Sequence, residues 1–378
     1  MDYACSGVHI DLGDDASKIL FNASKRTWEN RRGRFGEVEQ AFDDFAGLRV
    51  VPLKGLPDDS VMNLSFDGIG TKTYIAERTG NHRTAAFDLF AMVCDDAVVR
   101  GAEPVLIGSI LDVRSLKDKD ESYIEFVRQL AEGYVAAAKV ARVAVVNGEV
   151  AELGARVYGY GNFNYNWGAG IAWFAQRKRL LSGKEIKPGD YIVALREEGF
   201  RSNGWSLVRK VLENKYGSEW HREPYAGITL GEAVSIPSRI YCATVSDMFG
   251  GLAGEPRLEV HGVAHITGGG IPGKLGRVLK PSGLGAFIDE PFEPSPIMEY
   301  VQNLGNVSDR EAYRTWNMGN GMLVITPNPD EAIKVASEHG IDSKVVGEIV
   351  NETSGRIVLK NKGFNKSQLN SKLYFNGE

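Results

Sequence analysis

The hexapeptide Asp67-Gly-Ile-Gly-Thr-Lys72 puts a carboxylate, two glycines, a hydroxyl and an ammonium within six residues. That combination suits a phosphate chain carrying a metal. Gly68 and Gly70 let backbone N–H groups approach phosphate oxygens, Thr71 adds a hydroxyl, Lys72 a point charge, and Asp67 an oxygen ligand of the kind Mg2+ prefers. A tight glycine turn ending in a solvated lysine is the alternative, because short glycine motifs are weak signals. More carboxylates follow at Asp88, Asp95 and Asp96, and again at Glu149 and Glu152. Set beside Leu89, Met92, Val93 and Val99, the three aspartates need partners, and a divalent metal is one economical answer. A solvated helix face is the other.

The second half carries Glu197-Glu-Gly-Phe-Arg-Ser-Asn-Gly204, a polar glycine loop between an apolar run and a helical pattern, hence a candidate anion site. Further on, Gly268, Gly273 and Lys274 have nearly the spacing of a P-loop. Leu275 stands where a Ser or Thr would ligate Mg2+, and Pro272 removes an N–H from the cradle, so a glycine-rich turn is expected instead. His261 and His265 are four apart without the carboxylates of a zinc motif.

The elements that must hold these residues follow from periodicity. Val61 to Phe66 alternates, with Met62, Leu64 and Phe66 on one face, as a half-buried strand does. Thr84 to Arg100 predicts a helix stopped by Gly101; positions seven apart place Asp88 and Asp95 on one face, with Asp96 some way around. Pro104 to Val113 predicts a strand, Glu121 to Ala141 an amphipathic helix, and Val143 to Val146 a short buried strand running into a turn that carries Glu149 and Glu152. Tyr158 to Trp173 leads into the last strand of a first domain, and the turn Lys187-Pro-Gly-Asp190 closes the charged boundary segment. Tyr191 to Leu195 predicts a strand and Trp205 to Lys215 a helix. Residues 1 to 60 are difficult to read as regular structure and predict a partly ordered basic arm around Lys25. The Asn- and Lys-rich end predicts a mobile tail.

With 378 residues the chain has room for two domains. A net charge of -5 argues against a dedicated nucleic-acid binder, which would show a basic face. Cys5, Cys94 and Cys242 are far apart and lack CxxC spacing, so a reducing cytoplasm is expected rather than a disulfide framework. No basic leader with an apolar core and no membrane-length apolar run is present in the sequence, so no membrane partner is expected.

Taken in order, Asp67-Gly-Ile-Gly-Thr-Lys72, Asp88-Leu-Phe-Ala-Met92, Asp95-Asp96 running into Arg100-Gly-Ala-Glu-Pro104, Gly148-Glu149, Ser202 to Lys210, His261 to Gly270 and Tyr313-Arg-Thr-Trp-Asn317 form one series. The series resembles the aminoimidazole ribonucleotide synthetase (phosphoribosylformylglycinamidine cyclo-ligase) family over roughly residues 2 to 350. That family shares an ATP-binding superfamily with thiamine-monophosphate kinase, selenide water dikinase and the glutamine-dependent formylglycinamidine synthetase. The resemblance implies an α/β (α+β) fold of two mixed-sheet domains, the first pairing its sheet into a barrel across the two-fold of a homodimer. It implies an ATP-binding and dimerisation domain over 1–175, an α/β domain over 176–360 and a polar tail over 361–378. It also implies ATP and Mg2+ as cofactors, a ribonucleotide substrate, and phosphorylation of a formamide oxygen followed by imidazole ring closure. Carried onto this chain, the family's catalytic positions are Lys25, Asp96, Arg201 and His265. Its nucleotide positions are Asp67, Gly68, Gly70, Thr71, Lys72, Asp88, Glu149, Ser202 and Asn203, and its metal ligands Asp67, Asp95, Asp96 and Glu149.

The chain departs from the family pattern in places. A longer glycine-rich stretch is reduced to Gly33-Arg-Phe35-Gly36, and Asn147 to Gly154 differs from the usual Gly-Gly-Glu-Thr-Ala-Glu-Met-Pro-Gly. Arg201 replaces a histidine, and Asp95-Asp96 replaces Asn-Asp. A superfamily kinase or dikinase would share the Asp67 loop and acidic helix but not the Ser202 and Tyr313 blocks, and would leave phosphate on its acceptor. A non-catalytic nucleotide-binding homologue would bind ATP without turnover.

Overall fold

A computed structural model of the protein describes residues 9–40, 49–119, 121–352 and 355–376. Two compact units result, one running to Ala97 and resuming over Glu103–Phe174, the other comprising Val98–Ala102 and the chain from Ala175 onward. Cys5 lies outside the described residues. No helix among them is long and apolar enough to cross a membrane.

The first unit is built on helices α1 (Ile10–Thr27), α2 (Thr73–Thr79), α3 (Ala85–Val98) and α4 (Ile124–Ala141). Its sheet contains β1 (Ser60–Gly68), β2 (Glu103–Val113), β3 (Ala144–Glu152) and β4 (Tyr165–Gln176) in the order β1-β4-β2-β3. Strand β2 is parallel to β3 and antiparallel to β4. The turn expected at Asn147–Glu152 is instead strand, because β2 continues alongside it as far as the Val113–Glu152 pair. Glu152 is structural there, accepting from the backbone N–H groups of His9 and Leu116, each at 2.7 Å.

Three expectations are corrected in this unit and at the chain end. The basic arm is a helix: α1 packs on α4 and β3, with Ala16 and Ala23 buried and Thr27 Oγ1 accepting from Val145 N at 2.8 Å. Its buried residues, Ala16, Ala23 and Thr27, have helical spacing but small side chains, so they carry little hydrophobic signal. In β1 the alternation is as expected, yet the apolar face is not covered: Met62, Leu64 and Phe66 are 55, 51 and 76% exposed. The helices occupy the opposite face, where Tyr134 of α4 stacks near Trp167. The polar tail is ordered where described. Asn361 donates to Asp309 at 2.6 Å, Gln302 donates to the other oxygen of Asp309 at 2.6 Å, and residues 372–375 add a strand. Two buried amides on one carboxylate satisfy groups that would otherwise be costly to bury.

The second unit holds a seven-stranded sheet of β5 (Tyr191–Arg196), β6 (Gly262–His265), β7 (Gly285–Ile288), β8 (Asn320–Thr326), β9 (Ser343–Val350), β10 (Ile357–Lys360) and β11 (Lys372–Phe375). Their order is β6-β8-β5-β9-β7-β10-β11, and only the β7–β10 pair is parallel. The central strands are apolar on both faces, as β8 shows with every residue buried, so helices must flank them. These include α5 (Trp205–Tyr216), α6 (Cys242–Phe249), α7 (Gly270–Leu279) and α8 (Asp309–Thr315). The glycine-rich turn expected around Gly268–Leu275 is a left-handed Gly269 opening α7.

One buried histidine sets a pH limit on the first unit. His82 is 1% exposed among the rings of Phe126, Phe163 and Tyr165, and burial pushes its pKa from 6.5 down to about 4. A depressed folded pKa means the stabilisation is complete above about 6.5 and is lost as pH falls toward 4. The full loss is ~3 kcal/mol at 1.36 kcal/mol per pKa unit. Denaturant titrations between those limits should show this decline in the natural protein and a shallower one in His82→Phe; equal slopes would remove His82 as its source.

Candidate functional site

The Asp67 loop leaves β1 through Gly70, whose φ is +62, into a single 3-10 turn and then α2. Nothing lies within 4 Å of where a Cβ of Gly70 would sit, so its backbone is open to a ligand. Asp67 and Thr71 are exposed. Lys72 is neither solvated nor presented outward: it is 2% exposed and pairs with Asp88 of α3 at 2.6 Å. In this structure Lys72 thus anchors the loop to α3. Asp95 is fully buried, whereas its neighbour Asp96 reaches solvent, as a step of about 100° around a helix dictates.

Glu149 lies on the transverse row of the sheet that runs through Ile110 and Gly168, with Gly68 beside Gly168. Three strand spacings separate Gly68 from Glu149, ~14 Å. Asp67, Asp95, Asp96 and Glu149 therefore do not converge on one ion within the chain. Among the described residues no three His, Cys, Asp or Glu side chains could hold a metal. An ion bound through one or two carboxylates and a phosphate chain needs no such cluster.

Glu149 instead lines a cavity of about 250 Å3 between α1 and the sheet, with Asn147, Gly148, Arg49, Phe21 and Trp167. Arg49 lies 4.7 Å from the Phe21 ring centre, and Lys25 Nζ lies 5.7 Å from the same ring. The cavity floor carries the Ser109–Tyr134 hydroxyl pair at 2.8 Å, and burial drives the Tyr134 phenol far above its ordinary pKa. Trp167 Nε1 is buried there without an acceptor among the described residues. Arg49, Ser109, Tyr134 and Trp167 belong to no motif, so nothing in the sequence singled them out. Glu77 on α2 was missed for the same reason. It accepts from the backbone N–H groups of Tyr160 and Tyr165, and burial raises its pKa to about 7.

In the second unit three separated segments meet. Trp316 Nε1 donates to Gly204 O at 3.2 Å and Asn317 Nδ2 to Gly199 O at 3.0 Å, which locks the 199–204 loop onto the end of α8. A Cβ on Gly270 would lie 1.9 Å from Tyr313 O, so only glycine admits that approach of α7 to α8. Asn203 lies against Gly268, and Arg201 Nη2 is 2.7 Å from His265 Nε2. Arg201, His265 and Ser202 are 2, 2 and 8% exposed, while Asn203 reaches solvent. Ser202 Oγ is buried with no hydrogen-bond partner among the described residues. A buried hydroxyl left unmatched beside an exposed amide and a glycine-rich helix start has hydrogen-bonding capacity to offer a polar ligand.

Arg201 already has acceptors within the protein. Its Nη1 donates to Glu197 at 2.7 Å and to Arg239 O at 3.0 Å, and its charge lies 5.3 Å from the centre of the Tyr241 ring. Glu197, itself fully buried, is also held by Arg239 N at 3.2 Å and Tyr241 Oη at 3.3 Å.

The family models described as AIR synthase related protein, N-terminal and C-terminal domains, match residues 43–167 and 187–360. A phosphoribosylformylglycinamidine cyclo-ligase of Nitrosococcus oceani is 32% identical over 367 residues, covering 96% of each chain. The chain belongs to the phosphoribosylformylglycinamidine cyclo-ligase family. A second relative of that name, from Sorangium cellulosum, is 35% identical over 92% of this chain and 95% of its own. The hydrogenase maturation protein HypE, solved in complex with ATP, superposes with a TM-score of 0.57 at 12% identity, covering 87% of this chain and 88% of its own. At that identity the likeness concerns the fold alone, and the fold is the two-unit α/β arrangement expected from the ordered motifs.

Proposed function

We propose that this protein closes the imidazole ring of formylglycinamidine ribonucleotide, giving aminoimidazole ribonucleotide, ADP and inorganic phosphate, in purine biosynthesis. The observation that carries the reading is full-length likeness to relatives named for that activity. The formamide oxygen is a poor leaving group; phosphorylated by ATP it leaves as phosphate when the amidine nitrogen bonds to the formyl carbon. The open backbone at Gly70, with Asp67 and Thr71, would take phosphate oxygens, and in the second unit the orphaned Ser202 hydroxyl beside Asn203 would take a polar group of a ligand. Bound Mg2+ would neutralise charge on the transferring group. Asp67, an exposed oxygen donor on the Gly70 loop, fits an ion held through one carboxylate and the phosphate chain. Lys25, 5.7 Å from the ring of the cavity-lining Phe21, would add positive charge near it.

We also propose a cytoplasmic homodimer. The uncovered apolar face of β1, with Ile110 exposed two strands away across Gly168, would be costly to leave in water, and a second copy pairing sheet to sheet would bury it. Incubation with ATP, Mg2+ and formylglycinamidine ribonucleotide should yield the aminoimidazole product with free phosphate. Phosphate retained on the acceptor would indicate a kinase, and ATP binding without turnover a non-catalytic homologue. Asp67→Asn should weaken Mg-ATP binding roughly ten-fold, the scale of one lost charge-assisted contact of about 1.4 kcal/mol, and leave the melting temperature unchanged. Calorimetric titration showing unaltered affinity would remove Asp67 from the nucleotide site.

A further inference from the structure

A guanidinium has donors only and keeps its proton throughout the range in which proteins fold. With Arg201 Nη2 at 2.7 Å, His265 Nε2 must therefore offer its lone pair, which puts the ring proton on Nδ1. The fixed positive charge at the Nε2 edge also opposes a second proton on the ring. On its far side Arg201 is held by Glu197, which also accepts from Glu198 N at 3.1 Å, so the guanidinium cannot swing away without stranding a fully buried carboxylate. The titratable groups of this network include Glu197, Arg201, His265 and Tyr241; the paired strand β8 places Met322, which does not titrate, opposite His265.

We propose that Arg201 is a positioning residue that acts through His265, fixing its imidazole as the neutral Nδ1–H tautomer and so as a hydrogen-bond donor that is never a base through Nε2. Where the family pattern has a histidine at position 201, able to exchange a proton, this chain has a group that cannot. The same bond ties the loop bearing Ser202 and Asn203 to the strand that leads into Gly268–Gly270, so one contact sets both the tautomer and the spacing of two loops. Its consequence for catalysis rests on the ring-closure reading: His265 would stabilise an oxygen gaining negative charge, and the amidine proton would leave by another route.

Long-range 15N spectra of histidine-labelled protein test the tautomer without reference to activity. The chain has six histidines, and His265→Asn identifies the signals to follow. The expected result is an unprotonated Nε2 and a protonated Nδ1 at His265, unchanged between about pH 5.5 and 8.5, a span centred on ordinary histidine titration. In Arg201→Met the ring should exchange between tautomers and titrate, and kcat for ring closure should fall roughly ten-fold or more while KM for ATP holds within about two-fold. Arg201→Lys, which keeps a donor, should recover part of kcat. If Arg201→Met does not fold, Glu197→Gln with Arg201→Met, which strands no carboxylate, is read in its place. A protonated Nε2 in the natural protein, or a His265 spectrum indifferent to the loss of Arg201, overturns the proposal. So does a changed tautomer with undiminished kcat. Absence of aminoimidazole product from the natural protein would instead sink the ring-closure reading and leave the tautomer result standing.

Discussion

Glu197→Ala should destabilise the second unit by about 3–5 kcal/mol, the cost of leaving one member of a buried ion pair without its partner. Arg201 would remain 2% exposed and lose the carboxylate while keeping Arg239 O and His265 Nε2 as acceptors, and Tyr241 Oη would keep Arg196 O. Replacing both members, as in Glu197→Leu with Arg201→Met, should recover most of the loss, because apolar groups of similar volume carry no desolvation penalty. Amide hydrogen exchange of β5 is the appropriate measurement, since a two-unit chain need not unfold in one step. Protection at Ile192 to Leu195 should fall in the single variant and return in the double one. Undiminished protection in Glu197→Ala would mean that water reaches the guanidinium and that the network is not closed.

The second large effect is expected at Lys72. Lys72→Met leaves Asp88 buried beside a side chain that cannot neutralise it, again at about 3–5 kcal/mol. Lys72→Met with Asp88→Leu should regain stability, and ATP affinity should return with it, because the ammonium faces α3 rather than the open side of the Gly68–Gly70 loop. Thermal midpoints and nucleotide titrations on the same three variants separate the possibilities. Stability restored without affinity would show that Lys72 turns to the phosphates when nucleotide binds and that its pairing with Asp88 belongs to the ligand-free loop.

Both predictions concern charged residues whose types were plain in the sequence and whose partners were not. Strand, loop and helix around Asp67, the span of α3, and the order of the motifs depend on periodicity and local turn chemistry, which act within a few residues. These were legible, as was the family, because an ordered series of motifs along one chain is hard to reach by chance. Alternation in β1 was legible too, but not which side the helices would take; that depends on α4 and Trp167, distant in sequence. Helix α1 escaped notice because Ala16, Ala23 and Thr27 gain their burial from close approach to α4 and β3 rather than from large apolar surface. The tail was misread because its order rests on Asn361 meeting Asp309, two polar residues 52 positions apart. Arg201 makes the same point at the site itself. Its type was plain in the sequence, but tertiary structure supplied the anion from Glu197 four residues away and a histidine from a separate strand, because a guanidinium taken out of water must find its acceptors within the protein.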